Sequence, residues 1–484
     1  MRQVILDWWP LLMSAAHVAA ASGVTIDAVL RKRQSASVIG WVGLAWLAPM
    51  IGSIAYLLLG INRIHRKGSA LRLRAAWHQE QSILPVPPET RLNDSLLAAR
   101  HPSSIGLARL GRQLTGNPLL PGNGVELLEN GDAAFPAMLA AIEGAQRSVT
   151  LLTYIFDNDQ AGVAFRDALL RAHRRGVAVR VLIDDMGSHY TRPTMVHQLR
   201  QSGVPVAAFL EARASRFLRY ANLRNHRKIL VTDGAVGFIG GLNVREGHWL
   251  SLQPTDPVPC LHFKVTGPIV SELQRTFAID WAFTTGEQLF GKRWLPENAL
   301  CGPVAARGVP NGPDEDLDNM EAMLLGAIAV ATDRLRIVTP YFLPDDALLR
   351  ALMVAAMRGV AVDIVLPAKS NLPIMDWAVV PQLQYLLEKG CRVFFTPPPF
   401  DHTKLLIIDG YWSFIGSINW DVRSLRLNFE YNVECYCEAL AGRLDRFVDT
   451  RITSARALAL KDLHALPFWA RVRNGLARLL SPYL

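Results

Sequence analysis

Cysteine is scarce in this chain: five residues in 484, Cys260, Cys301, Cys391, Cys435 and Cys437. They are odd in number, scattered and without C-x-x-C spacing, which argues against a disulfide framework or a zinc site and predicts free thiols in a reducing compartment. No carboxylate cluster or His/Cys set has metal-ligand spacing, so neither a metal nor a cofactor is expected. Charge is absent from two long stretches, since residues 8–26 and 34–62 contain no Asp, Glu, Lys or Arg. The second exceeds the ~20 apolar residues that cross a bilayer, and membrane helices tolerate a proline such as Pro49. The first is longer than a signal-peptide core and no clear cleavage site follows it. Together they predict a helical hairpin within residues 1–67, with membrane spans at about 8–26 and 38–60.

Acidic residues are outnumbered 42 to 51, for a net charge of +9. That fits an anionic partner, lipid or nucleic acid, without choosing between them. Half of the residues are apolar, which favours membrane contact. The hairpin connection carries Arg31, Lys32 and Arg33, against Arg2, Arg63, Arg66, Lys67, Arg72 and Arg74 on the outer flanks. The positive-inside rule then places both flanks, and the body of the protein, in the cytoplasm. Residues 68–120, polar and carrying Pro85, Pro87 and Pro88, read as a tether.

What the chain does have is a doubled motif. His226, Lys228 and Asp233 are followed by Gly240, Gly241, Leu242 and Asn243; His402, Lys404 and Asp409 are followed by Gly416, Ser417, Ile418 and Asn419. The repetition extends further. Tyr154 and Tyr341 lie 187 residues apart, as do Gly203 and Gly390, and Arg175-Gly176-Val177-Ala178-Val179 recurs at Arg358-Gly359-Val360-Ala361-Val362. The histidines are 176 apart, so the first copy holds 11 extra residues, in a stretch with Arg213, Arg216, Arg219 and Arg224. β-branched runs alternating with helical periodicity predict an α/β fold of two tandem lobes, mixed sheets flanked by helices, related by a pseudo-two-fold. The lobes are placed at 121–300 and 301–455. Residues 456–484 form a C-terminal amphipathic helix, in which apolar groups alternate with Arg471, Arg473 and Arg478.

His and Lys two residues apart on a strand point to the same side. Two such strands facing each other surround one phosphate with two imidazoles and two ammonium groups. One histidine can attack phosphorus, and the other can protonate the leaving oxygen. Lys228, Lys404, Asn243 and Asn419 are expected to stabilise the non-bridging oxygens, with the backbone at Gly240 and Gly241 and the Ser417 hydroxyl as further donors. Asp233 and Asp409 complete the motifs and are expected to fix strand or turn geometry. Glu430 is expected to orient an imidazole.

At these residues the chain resembles the phospholipase D superfamily. With the hairpin, Asn117-Pro118-Leu119-Leu120-Pro121-Gly122-Asn123, Thr339-Pro340-Tyr341-Phe342 and Asn419 through Glu430 included, it is similar to the bacterial cardiolipin synthases over nearly its whole length. The resemblance implies two phospholipase D-like lobes on the cytoplasmic side of a bacterial inner membrane, anchored by a multi-pass insert. It implies transfer of a phosphatidyl group from one phosphatidylglycerol to the glycerol of a second, giving cardiolipin and glycerol, with His226 as nucleophile and His402 as general acid. The partners expected are anionic phospholipid and the membrane, not nucleic acid. One departure stands out. The family carries an acid shortly before Gly267-Pro268, and here that position falls on Cys260, or the role shifts to Asp256. The competing expectations are a lipid hydrolase or nuclease of the same chemistry, and an inactive lipid-binding scaffold.

Overall fold

The computed structural model describes residues 2–31, 35–60, 102, 104–211, 223–313 and 316–481. Most of the expected tether lies outside them, as do Arg213, Arg216 and Arg219 of the insertion and seven of the basic residues in the topology count, from Lys32 to Arg74. The chain divides into two units, 1–67 with 212–222, and 68–211 with 223–484.

In the N-terminal unit the first apolar stretch makes the long helix. Arg2–Arg31 is continuous, and its Trp8–Arg31 portion is long and apolar enough to cross a membrane. The second stretch does not form one straight span. Ser35–Leu47 stops before Pro49, Met50 takes a φ of 60°, and Ile51–Ala55 with Tyr56–Gly60 folds back. Proline brings no N–H to the helical ladder and pushes the residue before it out of helical conformation. The 13 residues of Ser35–Leu47 rise roughly 20 Å, short of a ~30 Å hydrocarbon core. The fold-back brings Tyr56 edge-on to Trp41 at 5.3 Å and lets its hydroxyl donate to Asp27 at 2.8 Å. Ala21, Val24, Ala28 and Ala45 pack between them.

In the larger unit one sheet runs through both lobes. Outward from the middle, the first lobe contributes Leu120–Glu129, Leu261–Thr266, Val236–Gly240, Ile229–Thr232, Ser148–Thr153, Ala178–Asp184 and Val206–Phe209. The second contributes Val304–Asn311, Asn428–Tyr436, Trp412–Gly416, Leu405–Ile408, Arg334–Val338, Ala361–Pro367 and Arg392–Thr396, with Arg456–Ala457 at the edge. Apart from the antiparallel edge strand Arg456–Ala457, the outer strands of each lobe are parallel and the inner ones antiparallel, so both halves are mixed. At the junction, Leu120–Glu129 pairs antiparallel with its own counterpart, Val304–Asn311, the pairing a two-fold axis generates. Helices such as Gln160–Arg174 and Asp346–Met357 cover the sheet. Their equivalent N-caps are Asp159, accepting from Gly162 N–H, and Asp345, accepting from Ala347 and Leu348 N–H.

Candidate active site

The two histidines lie just ahead of the strands expected to carry them, since those strands begin at Ile229 and Leu405. Each motif is seated on the opposite lobe. Arg224–Asn225 pairs with Asn428–Phe429, and His226 N–H donates to the Phe429 carbonyl at 2.9 Å. Reciprocally, His402 N–H donates to the Pro259 carbonyl at 2.7 Å, and Leu261 N–H to Thr403 Oγ1 at 3.1 Å. The buried Arg227 guanidinium pairs with Asp280 at 2.7 Å and donates to the Glu430 carbonyl at 3.0 Å, tying the first motif to the second lobe's strand.

Both imidazoles line one cavity of about 1290 Å³, together with Tyr154, Tyr341, Asn243 and Asn419. Tyr154 meets His226 edge-on at 5.3 Å and Tyr341 meets His402 at 6.4 Å, with Phe400 also beside His402 at 5.9 Å. Asn243 Oδ1 accepts from Ile155 N–H at 3.2 Å, and Asn419 Nδ2 donates to Ser424 Oγ at 3.3 Å. Lys228 and Lys404 are buried beneath the rings. Their ammonium groups donate to the carbonyls of His226 at 2.7 Å and His402 at 2.8 Å. Burial is the main reason their pKa values fall, to about 7 for Lys228 and about 8 for Lys404.

The histidines differ in their partners. His226 Nδ1 lies 2.9 and 3.1 Å from the two Glu430 carboxylate oxygens. Burial works to raise the Glu430 carboxyl, but His226, Lys228 and Ser417 hold it below the usual range, so it is ionised and can only accept. Nδ1 therefore carries the proton. Burial lowers the imidazole to about 4 against the pull of Glu430, so Nε2 keeps a free lone pair. His402 Nδ1 faces the Gly241 carbonyl at 3.1 Å instead. Burial and Lys404 push its pKa well below the ordinary value.

Asp233 and Asp409 hold backbone, in keeping with the turn role expected of them, whereas Ser417, Gly240 and Gly241 are engaged within the protein. The Asp233 carboxylate accepts from the backbone N–H groups of Gln146, Arg147 and Ser148, and that of Asp409 from Thr332, Asp333 and Arg334. Each caps the entry to its lobe's first parallel strand, at the far end of the motif strand from the histidine. Ser417 Oγ donates to Glu430 Oε2 at 2.6 Å, so its hydroxyl is used on the glutamate, not on a phosphate. Gly241 is glycine because a Cβ there would stand 2.6 Å from Cys260 Sγ and 2.9 Å from the His402 carbonyl oxygen. Its N–H points to Leu261 O at 3.4 Å. Gly240 is likewise pressed against His262, whose Nδ1 would lie 2.6 Å from an added Cβ.

A family described as "Cardiolipin synthase, PLD-like domain" matches residues 138–281 and 324–451, one block in each lobe. Cardiolipin synthase A of Pseudomonas putida (strain GB-1) is 32% identical over 461 residues, 95% of each chain. Cardiolipin synthase A of Pseudomonas fluorescens (strain SBW25) is 33% identical over 464 residues, again 95% of each. The chain belongs to the cardiolipin synthase family. Among solved structures, phosphatidylserine synthase of Haemophilus influenzae Rd KW20 superposes with a TM-score of 0.62 at 14% identity, over 78% of this chain and all of that one, which shows the shared fold.

Within the cardiolipin synthase family frame, Cys260 gains a definite place. Gly240 pairs with His262 and Gly416 with Asn432, so Cys260 and Glu430, each two residues earlier, occupy the same position in equivalent strands. Where Glu430 reaches His226, Cys260 Sγ donates to the His402 carbonyl at 3.3 Å. Burial raises this thiol to about 12, so it stays neutral. Asp256, the alternative acid, lines the same cavity.

One residue of the site has no forewarning in the doubled motif. His248, almost fully buried, lies 6.1 Å from His402 between ring centroids, and its Nδ1–H donates to the Val258 carbonyl at 2.8 Å. It follows Asn243 by five residues, where the second lobe has Ser424 after Asn419. The repeat therefore marks the position but not the imidazole. Tyr154 and Tyr341 did carry a signal, their recurrence at the common offset.

Proposed function

We propose that His226 and His402 carry a two-step phosphatidyl transfer between two phosphatidylglycerol molecules, through a phosphohistidine. The observation that carries this reading is the asymmetry of their partners: a carboxylate on Nδ1 of one, a carbonyl on Nδ1 of the other. In the first step Nε2 of His226 attacks phosphorus. The bond to the glycerol oxygen breaks, and protonated His402 gives its proton to that oxygen. In the second step the glycerol hydroxyl of another phosphatidylglycerol loses its proton to His402 and attacks phosphorus, and the P–N bond breaks. Cardiolipin and glycerol leave, and both imidazoles return to their starting states. The phosphodiester's negative charge favours the protonated forms of His402, Lys228 and Lys404, offsetting the burial that lowers them. Phosphatidylglycerol is favoured because, among the described residues, the buried Asn419 Oδ1 and Asn428 Oδ1 on two cavity side chains have no donor, and a glycerol headgroup carries hydroxyl donors.

The membrane insert is read as the helix from Trp8 to Arg31 crossing the bilayer and the broken second limb returning beside it, with the lobes on the cytoplasmic side of the inner membrane. The domain limits proposed are 1–67, 68–120, 121–300, 301–455 and 456–484, except that Leu120 and Arg456–Ala457 belong to the sheet of the lobes. The test is product analysis of the purified full chain with phosphatidylglycerol vesicles and a chelator. Cardiolipin with equimolar glycerol is expected. Phosphatidic acid alone, or dependence on phosphatidylethanolamine, would refute the transfer as written.

A further inference from the structure

The C-terminal helix Phe468–Arg478 has one face on the protein and one that nothing in the described residues covers. Ala470, Asn474 and Ala477 are buried, and Ala477 joins Leu343, Met375 and Ala378 in a small apolar cluster. On the other side Phe468 is 79% exposed, Trp469 65%, Leu476 60% and Leu479 73%, with Val472 and Leu480 also in the open. Six large apolar side chains within 13 residues exceed the scattered exposure of an ordinary surface. Arginines are set among them. The Arg473 guanidinium lies 4.5 Å from the Trp377 ring and 5.4 Å from that of Trp469, and Arg478 lies 6.0 Å from Tyr385. Trp377 and Tyr385, both partly exposed, belong to the helix Pro373–Glu388, which packs along the C-terminal one. That neighbouring helix starts at the catalytic cavity, where Leu372 and Met375 are wall residues.

We propose that the outer face of Phe468–Leu480, together with Trp377 and Tyr385, docks on the anionic interface of the bilayer and holds the cavity wall at Leu372 at headgroup depth. Indoles and phenols held beside guanidinium groups are the chemistry of that layer, where apolar bodies enter the acyl boundary and cations meet lipid phosphate. A second copy of the chain is the weaker fit, because a symmetric contact would bring Arg471, Arg473 and Arg478 of both copies together. The docking deepens the lipid-transfer reading and rests on it: the diacyl tails stay in the bilayer while the headgroup enters between the histidines. Met375 is the physical link, since it shares a buried cluster with Ala477 and also lines the cavity.

The experiment uses the full chain in proteoliposomes containing phosphatidylglycerol, with Cys301 and Cys437 replaced by serine and a nitroxide on Leu476→Cys or Val472→Cys. Docking requires label collisions with oxygen to exceed those with a water-soluble nickel chelate. Labels equally open to the nickel chelate would overturn it. So would protection from both quenchers with dipolar broadening between labels, the signature of a second copy. As a functional readout, Trp469→Glu/Leu476→Glu is expected to lose at least about tenfold in turnover on vesicles and to stay within about twofold on short-chain, monomeric phosphatidylglycerol. Equal losses on both substrates would mean a folding defect, and equal retention on both would sink the proposal. Label depth decides docking whether or not the chain turns lipid over, so failure here is separable from failure of the transfer chemistry.

Discussion

Glu430 of the second lobe holds Nδ1 of His226 of the first at 2.9 Å. The two residues are 204 positions apart in sequence, and the contact forms only because each lobe seats the other's motif. The register counterpart of Glu430, Cys260, supplies no acid to His402. The twofold pattern of the chain is thus broken at the point where the proposed transfer gives the two histidines opposite protonation tasks.

Glu430→Gln keeps the shape of the contact but removes the charge that fixes the Nδ1–H tautomer. The turnover number should fall by roughly 10²-fold or more with little change in KM. Rapid quench of phosphoenzyme formation locates the loss in the first step. A rate within about twofold of the parent would remove Glu430 from any orienting role.

Cys260→Asp places a carboxylate opposite His402. An adjacent anion favours the imidazolium, so the depressed pKa of His402 should rise. The proposed general acid then keeps its proton to higher pH, and the basic limb of the turnover profile moves upward. The measurement is the pH dependence of turnover in both proteins. An unmoved basic limb would place the titrating group elsewhere.

Lys228 and Lys404 lose their protons near pH 7 and pH 8 in the free site. Below these values both are charged and hold an anion; as pH rises through them the charges vanish and binding weakens. Inhibition by a phosphonate analogue of phosphatidylglycerol should be flat below about pH 7. Above that it should weaken toward roughly tenfold per pH unit for each ammonium that has to be reprotonated. Lys228→Met should remove the earlier step and leave the later one.

The Arg227–Asp280 pair is 2% and 5% exposed at its side chains. Asp280→Leu alone leaves a buried guanidinium uncompensated and should cost about 3–5 kcal/mol in chemical denaturation. Arg227→Met combined with Asp280→Leu should recover most of that loss. Additive losses in the double variant would show that the pair itself is not what matters.

Much of this was readable in the chain. A tandem repeat with constant offsets exposes the lobes, the histidines and the paired tyrosines, because each copy must build the same strands. Glu430 was legible as an acid close to the second motif, and Cys260 as a missing one. The cross-lobe seating of the motifs was not, since partners such as His226 and Phe429 are joined only by folding. For the same reason Ser417 read as a phosphate donor: its hydroxyl is suited to the task, and only the packing shows Glu430 using it. Pro49 read as harmless because membrane helices often carry proline. Here Met50 adopts a left-handed conformation and the chain turns back.

The antiparallel pairing of Leu120–Glu129 with Val304–Asn311 also governs traffic. A sheet that continues from one half into the other, here across a bulged pairing of Leu120 with Ala306 and Asn123 with Val304, cannot swing apart at a hinge without losing its backbone hydrogen bonds. In the proposed transfer, donor, released alcohol and acceptor would therefore pass in succession through the one cavity that both imidazoles line. In that transfer, a half-reacted lipid on His226 would wait behind a frame that does not open.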